Sequence, residues 1–462
     1  MKKNQTNEEE VLEEIMSVPA VVLEKGIAGG EKLKDALISK RPFKVAEEYW
    51  ETLGPGLVTG ASDDDPSGIA TYSQAGAQYG FQLLWLSWVT FPLMATVQEM
   101  CARIGLVTGR GLAANIGHHH SKRALYLVTV LLFAANSFNI GADLGAMAQG
   151  MQLIVPRMNF SFLVIAFAMV SLLLQVFTTY ARYAKYLKYL AFVLFAYIVS
   201  ALLSNLDWHA IFISTVVPTL AFSKAQIYLV CAILGTTISP YLFFWQTSQE
   251  VEERTLHTHK EEKGWFQRPS HRALKRMRAD VWSGMFLSNL VMFFIIAACA
   301  GTLFTHGITN ITSAAQAAAA LRPLAGNAAY ILFAVGIIGT GMLAIPVLAG
   351  STSYALSESF GWKHGLYRKL NEAYAFYGVI IISMLVGIAL NFSGLDPIKA
   401  LIYSAIGNAI IAPVILYFIV KLSSDPTVMH GYQSGKTLRT VGWVTVAIMA
   451  LAGIAAVVSL FF

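Results

Sequence analysis

Apolar stretches of spanning length recur along this chain from about residue 53 to its end. About 20 apolar residues in a row cross the hydrocarbon core of a bilayer as an α-helix. Outside a closed barrel no other secondary structure can do so, because each backbone N–H and C=O must be satisfied within the segment. Eleven spans are read, near 53–74, 82–106, 124–150, 160–178, 184–204, 225–246, 281–304, 328–355, 373–390, 397–420 and 440–461. Charged residues make up only 13% of the chain, about half the share in a soluble domain. The chain therefore reads as an all-α integral membrane protein with the lipid bilayer as its surroundings. No nucleophile–base pair or cofactor motif points to an enzyme. A net charge of +6 in such a chain does not imply a nucleic-acid partner. No short apolar core stands near the start, so the first span is expected to direct insertion.

The Lys and Arg distribution sets the expected orientation. With residues 1–52 in the cytoplasm, 29 of the 33 Lys and Arg fall on the cytoplasmic side. The four exceptions are Arg157, Lys224, Arg322 and Lys399. The reverse orientation would invert that ratio, against the positive-inside rule. A cell-membrane protein with a cytoplasmic N-terminus and an outer C-terminus is expected. The segment 247–280, with His257, His259 and His271, reads as a solvated cytoplasmic loop, and His118–His120 as a solvated turn. Residues 7–51 have an amphipathic character and carry no assigned chemistry. Cys101, Cys231 and Cys299 all lie in apolar segments with no metal or disulfide spacing, and read as small buried hydrophobes. Nothing in the sequence calls for an oligomer, and a monomer is the expectation.

The first span is interrupted by Ser62-Asp63-Asp64-Asp65-Pro66-Ser67-Gly68. Each unpaired carboxylate in a membrane interior costs about 2.5–3.5 kcal/mol on insertion scales. Pro66 removes a backbone donor, and Gly60 and Gly68 weaken the helix on either side. Non-helical backbone at this depth is tolerated only where protein buries it or it lines a watery cavity. Free carbonyls and carboxylates there make a cation site. An alternative is that the helix begins after Asp65, with the aspartates capping it at the membrane surface. Residues 69–79 alone are too short to span, which counts against it.

A second interruption, Leu234-Gly235-Thr236-Thr237-Ile238-Ser239-Pro240-Tyr241, falls midway along the sixth span. The first span opens one group of five (53–204) and the sixth opens another (225–420), with 440–462 as an extra helix. Interruptions at corresponding positions of two halves are the mark of inverted-repeat transporters, whose discontinuous helices meet at the bilayer midplane.

At these residues the chain resembles the Nramp family of divalent-metal transporters. Gly54-Pro55-Gly56 and Gln74-Ala75-Gly76-Ala77-Gln78-Tyr79-Gly80 frame the first span as in that family. Gln98-Glu99, Thr108-Gly109 and Gly111-Leu112 are similar to the end of its second helix, and Asp143-Leu144 to its third-helix motif. Ser423-Ser424-Asp425, Val428-Met429 and the Gly-Tyr-Gln-Ser after them are similar to its last connection. The resemblance covers about 53–460 and implies the inverted-repeat symporter fold, with no cofactor and a divalent ion as the substrate.

The resemblance keeps one metal ligand and changes others. The family's Asp-Pro-Gly-Asn is here Asp65-Pro66-Ser67-Gly68, so Asp65 is retained and Gly68 stands for the ligating Asn. Its Met-Pro-His is here Ser239-Pro240-Tyr241, which replaces a thioether by a hydroxyl and a proton-linked His by Tyr. Asp143 matches an Asp of the proton path, but the acid three residues on is Ala146; a glutamine of the tenth helix aligns with Ala405. Without the thioether the ligands favour hard ions. Gly68 and Ala405 imply a roomier cavity, suited to a Mg²⁺ or Mn²⁺ ion that keeps waters. The implied ligands are Asp65, Asp64 and the Thr236 carbonyl beside Ser239. Asp143, Tyr241 and Asp63 are candidates for proton movement or gating. A Tyr, with a reference pKa near 10, is a poor carrier at neutral pH, which weakens the implied coupling. The alternative is an Nramp-like scaffold that moves a non-metal solute such as a small organic acid, against which three adjacent aspartates argue.

Overall fold

A computed structural model describes residues 54–177, 195–203, 206–221, 223–260 and 269–461. All regular structure among them is helical. The principal helices are α1 (Pro55–Asp63), α2 (Pro66–Tyr79), α3 (Trp85–Thr108), α4 (Leu112–His119), α5 (Lys122–Ile154), α6 (Phe160–Phe177), α7 (Phe195–Leu203), α8 (Trp208–Val216), α9 (Lys224–Thr237), α10 (Pro240–Lys260), α11 (His271–Thr302), α12 (Ala329–Phe360), α13 (Tyr374–Leu390), α14 (Pro397–Ser424) and α15 (Lys436–Phe461). Thus α1 and α2 share the first span, and α9 and α10 share the sixth.

Seven described segments are long and apolar enough to cross a membrane; one of them, Lys224–Thr255, runs through the sixth-span interruption. The other expected spans fall short for identifiable reasons. The first is cut into pieces of 9 and 14 residues. Helix α3 is long enough, but it buries Thr96, Gln98, Glu99 and Arg103. Part of the fifth lies outside the described residues, and the ninth is a 17-residue apolar helix. The N-terminal amphipathic segment also lies outside them. The expected loop 247–280 is corrected: α10 continues to Lys260 and α11 starts at His271, so most of it is helical extension. A run rich in Glu, Gln and Arg favours helix once its side chains leave the apolar layer. The expected turn at His118–His120 contains the last turn of α4, and the His120 ring packs edge-on to Phe418.

The packing has the exchange symmetry of two inverted repeats. The first span (α1 and α2) packs on α11, the seventh, while the second half of the sixth (α10) packs on α3, the second. The third and eighth spans, α5 and α12, pack on each other, and each also contacts the span that follows it.

Glycines bring α1 onto α11 with backbones touching. A Cβ on Gly60 would lie 2.3 Å from the Gly284 oxygen, and one on Gly284 would lie 2.2 Å from the Gly56 oxygen. Such small-residue contacts are how membrane helices pack when water supplies no driving force between them. Asp280 of α11 then caps α1, accepting from the N–H of Gly56 at 2.7 Å and of Leu57 at 3.2 Å. Buried Glu99 of α3 accepts from Arg103, Arg278 and the Trp282 indole at 2.6, 2.9 and 2.8 Å. The second and seventh spans are therefore tied by a satisfied charge.

Candidate functional site

The first interruption forms because Pro66 has no N–H to donate and Asp65 turns extended, at φ −67° and ψ 173°. The Asp65 carboxylate then caps α2, accepting from the Gly68 N–H at 2.8 Å. The capping alternative was half right. Asp65 is an N-cap, but α1 precedes it and the residue is 1% exposed, so the cap lies in the interior. The second interruption follows the same logic: α9 ends at Thr237 and α10 restarts at Pro240. Ser239 serves that end, its hydroxyl donating to the carbonyls of Thr236 at 2.6 Å and Gly235 at 2.9 Å. The Thr236 carbonyl, an expected ligand, thus already accepts a hydrogen bond. The Thr236 hydroxyl instead faces the first span, 3.2 Å from the Ser67 hydroxyl.

Asp65 is the centre of this meeting. Its Oδ1 accepts from Ser67 Oγ at 2.6 Å as well as from Gly68 N, and its Oδ2 accepts from Asn139 Nδ2 of α5 at 3.1 Å. Asn139 in turn accepts from Ser404 Oγ of α14 at 2.7 Å. Asp63 and Asp64 lie elsewhere. Both approach the Ser288 hydroxyl of α11, at 2.6 and 3.4 Å. The turn after α1 lets these adjacent side chains converge on one hydroxyl. Their separation from Asp65 agrees with a second finding: among the described residues no three His, Cys, Asp or Glu side chains come together in metal-holding geometry.

Tyr241, at the start of α10, donates its hydroxyl to the Ser62 carbonyl at 2.9 Å. Asp143, one turn beyond Asn139 on α5, is fully buried, and neither carboxylate oxygen has a hydrogen-bond partner among the described residues. Beside Gly68 the expected open space is taken: a Cβ there would lie 3.3 Å from Tyr72 Cε2 and 3.4 Å from the Thr236 hydroxyl. Ala405 does not open the site either. Its carbonyl lies where a Gly235 Cβ would be, which sets α14 directly on α9. Ala146 lines a small apolar cavity of about 10 Å³ with Ala70 and Ile337.

Sequence reasoning missed Asn139 and Ser404. A signal existed for the first: Asn136, Asn139 and Asp143 recur at helical spacing within one apolar span. Polar groups inside a membrane span face protein or a watery cavity rather than lipid. For Ser404 there was no such signal, since a lone serine in a span is unremarkable.

Comparison with known proteins bears on this arrangement. The family model described as natural resistance-associated macrophage protein-like, Nramp, matches residues 56–459. A divalent metal cation transporter MntH from Klebsiella pneumoniae (strain 342) is 26% identical over 401 residues, covering 86% of this chain and 91% of that protein. Among solved structures, the Eremococcus coleocola manganese transporter in complex with an aromatic bis-isothiourea substituted compound superposes with a TM-score of 0.69 at 18% identity. That match covers 88% of this chain and 86% of the other. A point mutant of the same transporter superposes with a TM-score of 0.65 at 17% identity, over 87% and 85% of the two chains. At these identities the superpositions speak for the fold.

Proposed function

The chain belongs to the Nramp family, whose members are transporters of divalent metal cations, and on that premise we propose that it carries Mg²⁺ and Mn²⁺, partly hydrated, by alternating access. The observation that carries this reading is Asp65, buried where the two interrupted spans meet and surrounded by hydroxyls, amides and N–H groups. One carboxylate with no sulfur ligand is the chemistry of hard ions that keep part of their water. Asp65 neutralises the ion, and the hydroxyls of Ser67 and Thr236 meet its remaining water shell. Gly68 and Ser239 shape the backbone around it. Asp64 and Asp63, tied to Ser288, add negative charge to the approach rather than ligands.

Access alternates as the bundle of first and sixth spans, with the second and seventh attached, rocks against the third and eighth. The N-terminus lies in the cytoplasm and the C-terminus outside. Transport does not use Tyr241 as a proton carrier, because its hydroxyl is engaged with Ser62 and stays neutral near pH 7. Any proton movement would fall to Asp143, Asp63 or Asp64.

The test is uptake by proteoliposomes offered Mg²⁺, Mn²⁺ and Ca²⁺ in parallel, with internal pH recorded. Saturable uptake of the first two is expected, lost in Asp65→Ala and weakened but retained in Asp64→Asn. A folded wild-type protein that neither binds nor moves any divalent ion would sink the reading.

A further inference from the structure

We propose that Tyr72 contacts the transported ion, its hydroxyl taking a hydrogen bond from a water that the ion carries; this rests on the divalent-cation reading above. Tyr72 lies on α2, one helical turn past Gly68 and two past Asp65. Residues four apart share a helix face, and long side chains on a helix lean back toward its N-terminus. The Tyr72 ring therefore runs back over Gly68 toward the interruption. Its Cε2 lies 3.3 Å from where a Cβ of residue 68 would stand, and the Thr236 hydroxyl of α9 lies 3.4 Å from the same point. Cε2 adjoins the ring carbon that bears the hydroxyl. The phenol end of Tyr72 is thus delivered to the meeting of the two interrupted spans, where the absent side chain of Gly68 leaves it room.

That hydroxyl is unengaged. Tyr72 is fully buried, and its oxygen makes no hydrogen bond of ordinary geometry among the described residues. Asp63, Asp64 and Asp65 are within electrostatic reach, and Thr236 is beside it. A buried polar group without a partner is costly and calls for an explanation. Thr71 on the same helix is also unpartnered, but a threonine hydroxyl can turn onto the carbonyl one turn back. A tyrosine hydroxyl, at the far end of a rigid ring, cannot. A phenol has one proton to give and lone pairs to accept with. The ionised carboxylates around it only accept, so they offer nothing to its lone pairs. A water held by a divalent cation is a strong donor, and Mg²⁺ is commonly bound through one or two carboxylates with several waters kept. An ion seated at Asp65 brings such waters to the hydroxyl.

Tyr241 provides the contrast. It is the same residue type, equally buried at the same interruptions, but its hydroxyl is committed to the Ser62 carbonyl. Loss of the Tyr241 hydroxyl removes a bond that holds the protein together. Loss of the Tyr72 hydroxyl removes no such bond, and a phenyl ring fills the same space. The two tyrosines therefore separate a group that serves the fold from one that serves the ion.

The experiment compares wild type, Tyr72→Phe and Tyr241→Phe as full chains in nanodiscs. Each is melted without divalent ion and then titrated with Mg²⁺ and with Mn²⁺, and the phenol C–O stretch is followed by infrared difference. Tyr72→Phe is expected to melt at or above the wild-type temperature when no ion is present, and to bind both ions about tenfold more weakly. The phenol band that shifts when Mn²⁺ is added to wild type should be missing from its difference spectrum. Unchanged ion binding in Tyr72→Phe, or a band that persists there, would overturn the proposal. So would ion-free melting that falls as far as in Tyr241→Phe, or a Tyr72→Phe that does not fold, because either shows the hydroxyl already engaged by the fold. A wild type that binds neither ion removes the divalent-cation reading and this contact with it, whereas ion binding that survives loss of the hydroxyl removes the contact alone.

Discussion

The hydroxyl of Tyr241 donates to the carbonyl of Ser62, 179 residues away, across 2.9 Å. In an uninterrupted α-helix that carbonyl would accept from the N–H four residues on. The residue there is Pro66, which has none. The sixth span thus supplies the donor that the first lacks, and the two interruptions are chemically interdependent. Removing the hydroxyl in Tyr241→Phe leaves a buried carbonyl unsatisfied, at a cost of about 1–3 kcal/mol. The melting temperature should fall in Tyr241→Phe. On a Pro66→Ala background, where residue 66 regains its N–H, the same change should cost much less. Equal losses on both backgrounds would break the link between the two residues.

Position 241 also bears on pH. Histidine can take up a proton in the physiological range, whereas tyrosine stays neutral there. An imidazolium formed as pH falls would place positive charge beside the path of a cation. Mn²⁺ uptake by Tyr241→His should therefore decline more steeply than that of the wild type as pH falls from about 7.5 to 5.5. Parallel pH profiles for the two proteins would show that residue 241 does not face the ion.

Gly68 tests how much water travels with the ion. An asparagine there must push into Tyr72 and the Thr236 hydroxyl, which already crowd that point. The ion would have to shed water to fit, and Mg²⁺ sheds water more reluctantly than other divalent ions. In Gly68→Asn the ratio of Mg²⁺ to Mn²⁺ uptake should fall about tenfold or more. A loss shared equally by both ions would mean that packing alone had been damaged.

Much of this molecule was readable from its residues, because lipid leaves a chain few choices. Pro66 and Pro240 located the interruptions, since a missing N–H is a local property of the sequence. Asp65 was found because a carboxylate inside an apolar span demands explanation. The partners of these groups were harder. That Ser239 turns back onto its own helix, and that Asp63 and Asp64 share Ser288, depends on how distant spans pack. The roomy site expected from Gly68 and Ala405 failed for the same reason. Small side chains here admit a neighbouring ring and a neighbouring backbone rather than open space.

The cap that Asp280 places on α1 has a consequence for how the protein is made. It joins residues 224 positions apart. At about 5–20 residues per second, roughly 10–45 s separate the synthesis of the two partners. Ser288 arrives later still, and so do Thr236 and Tyr241 relative to the span they complete. The first span must therefore enter the membrane with Asp63, Asp64 and the Ser62 carbonyl lacking the partners that later spans supply, while Asp65 finds donors within its own segment. Until the seventh span has been translated it depends on water, lipid headgroups or the insertion machinery for the polar partners it lacks. The carboxylates that charge the approach to the mature site are those that burden its biogenesis.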